Sequence, residues 1–103
     1  MESVVLSYPK GRRFEWEVKN LLEKKSWIVI RAARSKPVDL IALKNGRILM
    51  VECKYSSRIL KVDKSRLCML ADAAGALPIL ALKKKYGRRI QFVNLKTETQ
   101  LEL

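Results

Sequence analysis

Residues 37–54 read PVDLIALKNGRILMVECK, and this stretch decides the fold. Two apolar runs flank Lys44-Asn45-Gly46-Arg47. Asn-Gly between such runs marks a two-residue hairpin, because both central turn positions need positive φ, which Asn and Gly adopt at low cost. A turn there pairs Lys44 with Arg47 and brings Asp39 opposite Glu52 on one face of neighbouring strands. Directly opposed side chains stand about 4.5–5.5 Å apart at Cβ. Lys54 follows on the same face, since strand side chains alternate with a period of two. The same alternation puts Val38, Leu40, Ala42, Leu49, Val51 and Cys53 on one face, and Ile41, Leu43, Ile48 and Met50 on the other. Strands apolar on both faces belong inside a sheet covered on both sides.

Two carboxylates about 5 Å apart repel by about 3 kcal/mol at an effective dielectric near 20. In otherwise apolar strands that is a poor structural choice. It becomes a sound one if a hard divalent cation bridges the pair, because Mg²⁺ takes oxygen ligands and keeps several waters. A lysine beside such an ion can orient or deprotonate a water, or neutralise charge building on a phosphate. Asp39, Glu52 and Lys54 are therefore candidate catalytic residues, with Asp39 and Glu52 the metal ligands.

Working outward from the hairpin, residues 10–25 form an amphipathic helix with Phe14, Val18, Leu21 and Leu22 on one stripe. Trp16 falls nearly opposite that stripe, free to meet a partner or DNA, and Glu15 and Glu17 flank it. Residues 26–33 are β-branched and strand-like; 65–76 are helical, rich in Ala and Leu; 78–83 and 89–95 are two more strands joined by a basic loop at 84–88. No pattern marks residues 96–103. The order gives an α/β fold, a central mixed five-stranded sheet flanked by helices, as one domain over residues 1–103.

At 103 residues and 49% hydrophobic, the chain has enough apolar side chains for one core. Twenty-two Lys and Arg against ten Asp and Glu leave a net charge of +12, which opposes compaction and calls for a polyanionic partner, nucleic acid foremost. With no histidine, His-based nucleophile activation and His-ligated zinc are excluded. Cys53 and Cys68 are too few for a disulfide framework or zinc site and read as reduced core residues of a cytosolic protein. Residues 1–6 lack the features of a signal peptide, and no apolar run reaches the ~20 residues of a membrane span.

Basic residues cluster at Lys10-Arg12-Arg13, at Arg31, Arg34 and Lys36, at 58–66, and at 83–89, bracketing the candidate site. No helix carries Asn, Gln and Arg at base-reading spacing, so contacts should go to phosphates and shape rather than base sequence. The segment 67–77 has one charge, Asp72. A helix apolar all round is buried all round. In so small a domain, Leu67, Leu70, Ala71 and Ala74 are expected to form the interface of a two-fold homodimer.

Asp39, then twelve residues, then Glu52-Cys53-Lys54 resembles the catalytic core of the PD-(D/E)XK nuclease superfamily, although Pro37-Val38-Asp39 stands where the motif has Pro-Asp. More narrowly, Lys10-Gly11 opening a helix, Glu15, Arg31, Ser35, the run Val38-Asp39-Leu40-Ile41-Ala42, and Pro78-Ile79-Leu80-Ala81-Leu82-Lys83 resemble an archaeal-type Holliday junction resolvase over residues 10–95. The resemblance implies a restriction-endonuclease-like fold and a Mg²⁺-dependent endodeoxyribonuclease, with Mn²⁺ able to substitute. It implies a homodimer that resolves four-way DNA junctions by paired nicks, and no membrane partner. It also implies that Asp39, Glu52 and the backbone carbonyl of Cys53 hold the metal and that Lys54 assists the attacking water. Glu15 would complete the acidic cluster, directly or through water. Helical geometry alone leaves Glu15 and Glu17 as alternatives; the resemblance selects Glu15. Arg31, Ser35 and Lys83 would contact DNA phosphates or support the site. A restriction- or repair-type nuclease of the same superfamily, or a non-catalytic DNA-binding protein, are the alternatives.

Overall fold

The computed structural model describes residues 10–54, 61–83 and 89–103. The expectations for residues 1–6, for 58–60 of the third basic cluster and for 84–88 of the fourth lie outside these residues, as do those for the side chains of Lys10 and Ser35.

Helix α1, Lys10–Lys24, forms where the apolar stripe predicts it and buries Phe14, Val18 and Leu22. Trp16, on the opposite side, is exposed. The helix ends in a Schellman motif: Ser26 N–H donates to the Glu23 carbonyl and Trp27 N–H to the Leu22 carbonyl, both at 3.0 Å. Ser26 takes φ 73° there. A second helix, α2, Lys61–Ala74, ends in the same motif, with Ala76 N–H donating to the Ala71 carbonyl at 2.8 Å, but uses Gly75 at φ 67°. The left-handed conformation costs a residue with a Cβ about 1 kcal/mol or more. Ser26→Gly is therefore expected to stabilise the protein by about 1 kcal/mol in chemical denaturation, with no change in activity.

Six strands form one sheet in sequence order: β1 Ile28–Arg31, β2 Leu40–Lys44, β3 Arg47–Lys54, β4 Leu77–Lys83, β5 Ile90–Asn94 and β6 Thr99–Leu101. All neighbours are antiparallel except β3 and β4, which α2 connects as a crossover. The hairpin register is the expected one, from Lys44↔Arg47 to Leu40↔Val51, with Asn45 at φ 51° and Gly46 at φ 76°.

The sheet has six strands rather than five. In the tail, Asn94 Oδ1 accepts hydrogen bonds from Lys96 N–H (2.9 Å) and Thr97 N–H (3.4 Å), and Glu98 takes φ 59°. The chain turns back and pairs Thr99 with Asn94 and Leu101 with Phe92. A three-residue strand is too short to show alternation, and an Asx turn is its only local signal. Other boundaries move too: α2 runs Lys61–Ala74 rather than over 65–76. Ser26 and Trp27 belong to the cap of α1, so β1 is shorter than 26–33. The pairing of β2 starts at Leu40; upstream, a 3₁₀ turn at Ala33–Ser35 intervenes and Ala32 N–H donates to the Asp39 carbonyl at 3.1 Å.

Helix α1 covers one face of the sheet, where Phe14, Val18 and Leu22 pack with Leu40, Ala42, Leu49, Val51 and Ile79. Helix α2 covers the other, packing Leu67 and Ala71 with Val38, Met50, Leu80 and Leu82. Val38 thus leaves the face that strict alternation gives it, because it lies before the paired part of β2. The dimer face expected on α2 is also corrected. Leu67 and Ala71 are fully buried within the single chain, Leu70 is half-buried, and Ala74 is exposed. As the crossover of the parallel pair, α2 must spend its Leu67–Ala71 face on the sheet. Among the described residues, the exposed large apolar side chains are Trp16, Ile28, Ile30 and Met69.

Candidate active site

The β2–β3 ladder stops at Leu40↔Val51, and the next pair is Asp39 and Glu52. Here side chains take over from the backbone. Asp39 N–H donates to Glu52 Oε1 at 3.2 Å, and Cys53 N–H donates to Asp39 Oδ2 at 2.7 Å. Each carboxylate is thereby oriented by an amide of the opposite strand, the second through a short charge-assisted bond. Both residues are buried, 8% and 7% exposed. Burial raises the pKa of Glu52, and the Asp39 charge raises it further, against the pull of Arg66 and Lys54. Burial likewise pushes the Cys53 thiol up, helped by Asp39, Glu15 and Glu52, so this sulfur stays protonated and is no nucleophile.

Among the described residues, no three acidic or cysteine side chains converge closely enough to hold an ion by themselves. Asp39 and Glu52 form a pair, and Glu15 does not complete a three-residue cluster with them. It lies on α1, close enough for its charge to act on Cys53, with Arg31 Nε 3.5 Å from its Oε1. The donor set fits Mg²⁺: two neighbouring carboxylates with hard oxygens, and the small protein share of the coordination shell typical of that ion.

Of the two glutamates that helical geometry leaves open, Glu15 is the one whose charge acts on Cys53, next to Glu52. Glu17 instead pairs with Lys83, Nζ to Oε1 at 3.0 Å. The Arg31 guanidinium also lies 5.2 Å from the centre of the Trp16 ring, and Lys19 lies 5.1 Å from it. Arg31 and Lys83 are thus each joined to a carboxylate of α1. Arg12, Arg13, Arg34 and Lys36 are exposed.

One residue, counted in the sequence only within the basic cluster 58–66, was not assigned to the site. Arg66, on α2, donates from Nη1 to the Pro37 carbonyl at 2.8 Å and from Nη2 to Glu52 Oε2 at 3.4 Å. It bridges the segment entering β2 and the carboxylate on β3. Nothing local marks it, since its partners lie 29 and 14 positions away.

The archaeal Holliday junction resolvase (Hjc) family model matches residues 6–102. The chain belongs to this family. The crossover junction endodeoxyribonuclease Hjc of Methanocaldococcus jannaschii is 44% identical over 91 residues, 84% of this chain and 67% of that protein. The structure of Hjc from Archaeoglobus fulgidus, a Holliday junction resolvase from an archaeal hyperthermophile, superposes with a TM-score of 0.75. The match has 26% identity and covers 91% of this chain and 80% of that one. In this resolvase-family chain the acidic pair and Lys54 lie at the open end of the central hairpin, where Arg66 of α2 reaches Glu52. Among the described residues no helix is long and apolar enough to cross a membrane.

Proposed function

We propose that the chain is a structure-selective, Mg²⁺-dependent endonuclease that resolves four-way DNA junctions by paired, symmetric nicks, acting as a homodimer. The observation that carries the reading is the buried Asp39–Glu52 pair, cross-linked by strand amides, with Lys54 next along β3. The family assignment supplies the substrate class.

Asp39, Glu52 and the Cys53 carbonyl would hold Mg²⁺, with Glu15 reaching it through water. When bound, the ion stabilises charge on the phosphate and lowers the pKa of a water. Lys54 orients the attacking water and neutralises charge that builds on the phosphate. Arg12, Arg13, Arg34 and Lys36, with Lys10 and Ser35, take backbone phosphates and position the strand rather than read its bases. Arg31 and Lys83 act from their pairs with Glu15 and Glu17, fixing α1 against the site. Two nicks on symmetry-related strands within one bound complex need two sites, and a two-fold pair of subunits supplies them.

The test compares labelled four-way junction, fork, linear duplex and single strand, each with and without Mg²⁺, alongside light scattering of the same preparation. The expected result is paired cutting of the junction only, only with the ion, by a species of twice the 11.9 kDa chain mass. Equal cutting of duplex and junction would shift the reading to a general nuclease of the same fold.

A further inference from the structure

Arg66 has no part in the chemistry just described, yet it touches that chemistry's most demanding residue. Its guanidinium holds the Glu52 Oε2 edge, which the amide of Asp39 leaves over, and anchors itself on the Pro37 carbonyl. Glu52 is buried, whereas the Arg66 side chain is 43% exposed at the mouth of the same site. A divalent ion held by Asp39 and Glu52 would have to share Glu52 with a guanidinium whose Nη2 lies 3.4 Å from Oε2. A phosphate approaching the site meets that exposed guanidinium, for which a phosphate is a better bidentate partner than one long contact to a carboxylate.

We infer that Arg66 is a positioning residue that competes with the divalent cation for Glu52 in the DNA-free protein, and that a DNA phosphate draws it away. This inference rests on the reading of Asp39 and Glu52 as the metal-holding pair. Arg66 keeps the two carboxylates apart from free metal until substrate is present, so metal loading and DNA binding favour each other. The guanidinium thereby serves as a stand-in for the ion: it limits the repulsion between two buried carboxylates and yields its place when a stronger anion arrives.

The test measures Mn²⁺ binding to the DNA-free protein by the loss of the free-ion electron paramagnetic resonance signal, for the native chain, Arg66→Gln, Arg66→Lys and Asp39→Asn. Thermal melting checks that each is folded. Removing the competing charge should tighten Mn²⁺ binding in Arg66→Gln by about tenfold. Arg66→Lys, which keeps the charge, should stay within about twofold of native. In junction cleavage, where Arg66 has already left Glu52, the Mg²⁺ midpoints of the native chain and Arg66→Gln should agree. Unchanged or weaker Mn²⁺ binding in Arg66→Gln would overturn the competition, as would equally tight binding in Arg66→Lys. Cleavage midpoints as far apart as the DNA-free affinities would overturn the release by DNA. If the native chain and Asp39→Asn bind Mn²⁺ alike, the metal-site reading itself fails, an outcome distinct from any change at Arg66.

Discussion

Replacing Asp39 by Asn, or Glu52 by Gln, is expected to lower junction cleavage by about a thousandfold or more, a barrier increase of about 4 kcal/mol. Junction affinity should be equal or higher. Both substitutions keep the shape of the side chain and an oxygen that can accept from the opposing strand amide, so the hydrogen bonds from Cys53 N–H and Asp39 N–H survive. What disappears is one negative charge, and with it a metal ligand and a repulsion toward phosphate. Because Asp39 and burial both work against ionised Glu52, the metal-free variants should also melt at the same temperature as the native chain or above it. A gel-shift titration in Ca²⁺ or EDTA separates the effects. A folded, stable variant that no longer binds junction DNA would show that these carboxylates serve the DNA interface rather than hydrolysis.

Affinity for a junction should fall by about a thousandfold between 50 and 200 mM salt if about six phosphates are neutralised, since each contact releases counterions. The ion pairs within the chain sharpen this expectation. Arg34 and Lys36 are exposed, so replacing either by Ala should reduce the slope of log affinity against log salt by about one. Lys83 is already paired with Glu17, so its replacement should change the slope by less. A shallow dependence in the native chain would mean that the +12 charge is not spent on tracking phosphates.

The parts of this molecule that were legible in the sequence are those fixed by local rules. Asn45-Gly46 sets the hairpin register because few residues accept two consecutive positive φ values, and that register alone brings Asp39 to Glu52. The stripe of Phe14, Val18 and Leu22 sets the face of α1 because, apart from Gly11, Trp16 and Leu21, the remaining positions are polar. Helix α2 has no such contrast. Its apolar residues surround it, and only the crossover between β3 and β4 decides that Leu67 and Ala71 turn inward. Strand β6 is too short to announce itself and depends on β5 for its partner. The interlocking amide contacts of Asp39 and Glu52, and the reach of Arg66 to both strands, arise from tertiary packing that no spacing rule encodes.

Because the strands lie side by side in sequence order, the molecule divides into two meanders joined at β3 and β4. The first, with α1, holds Glu15, Asp39, Glu52 and Lys54, so every group assigned to bond breaking is supplied before residue 55. The second, with α2, contributes scaffold, charge and Arg66. Labour is thus divided along the chain. Changes in the second half can retune how the site is kept in check, through Arg66, while the hydrolytic groups stay in register on the first.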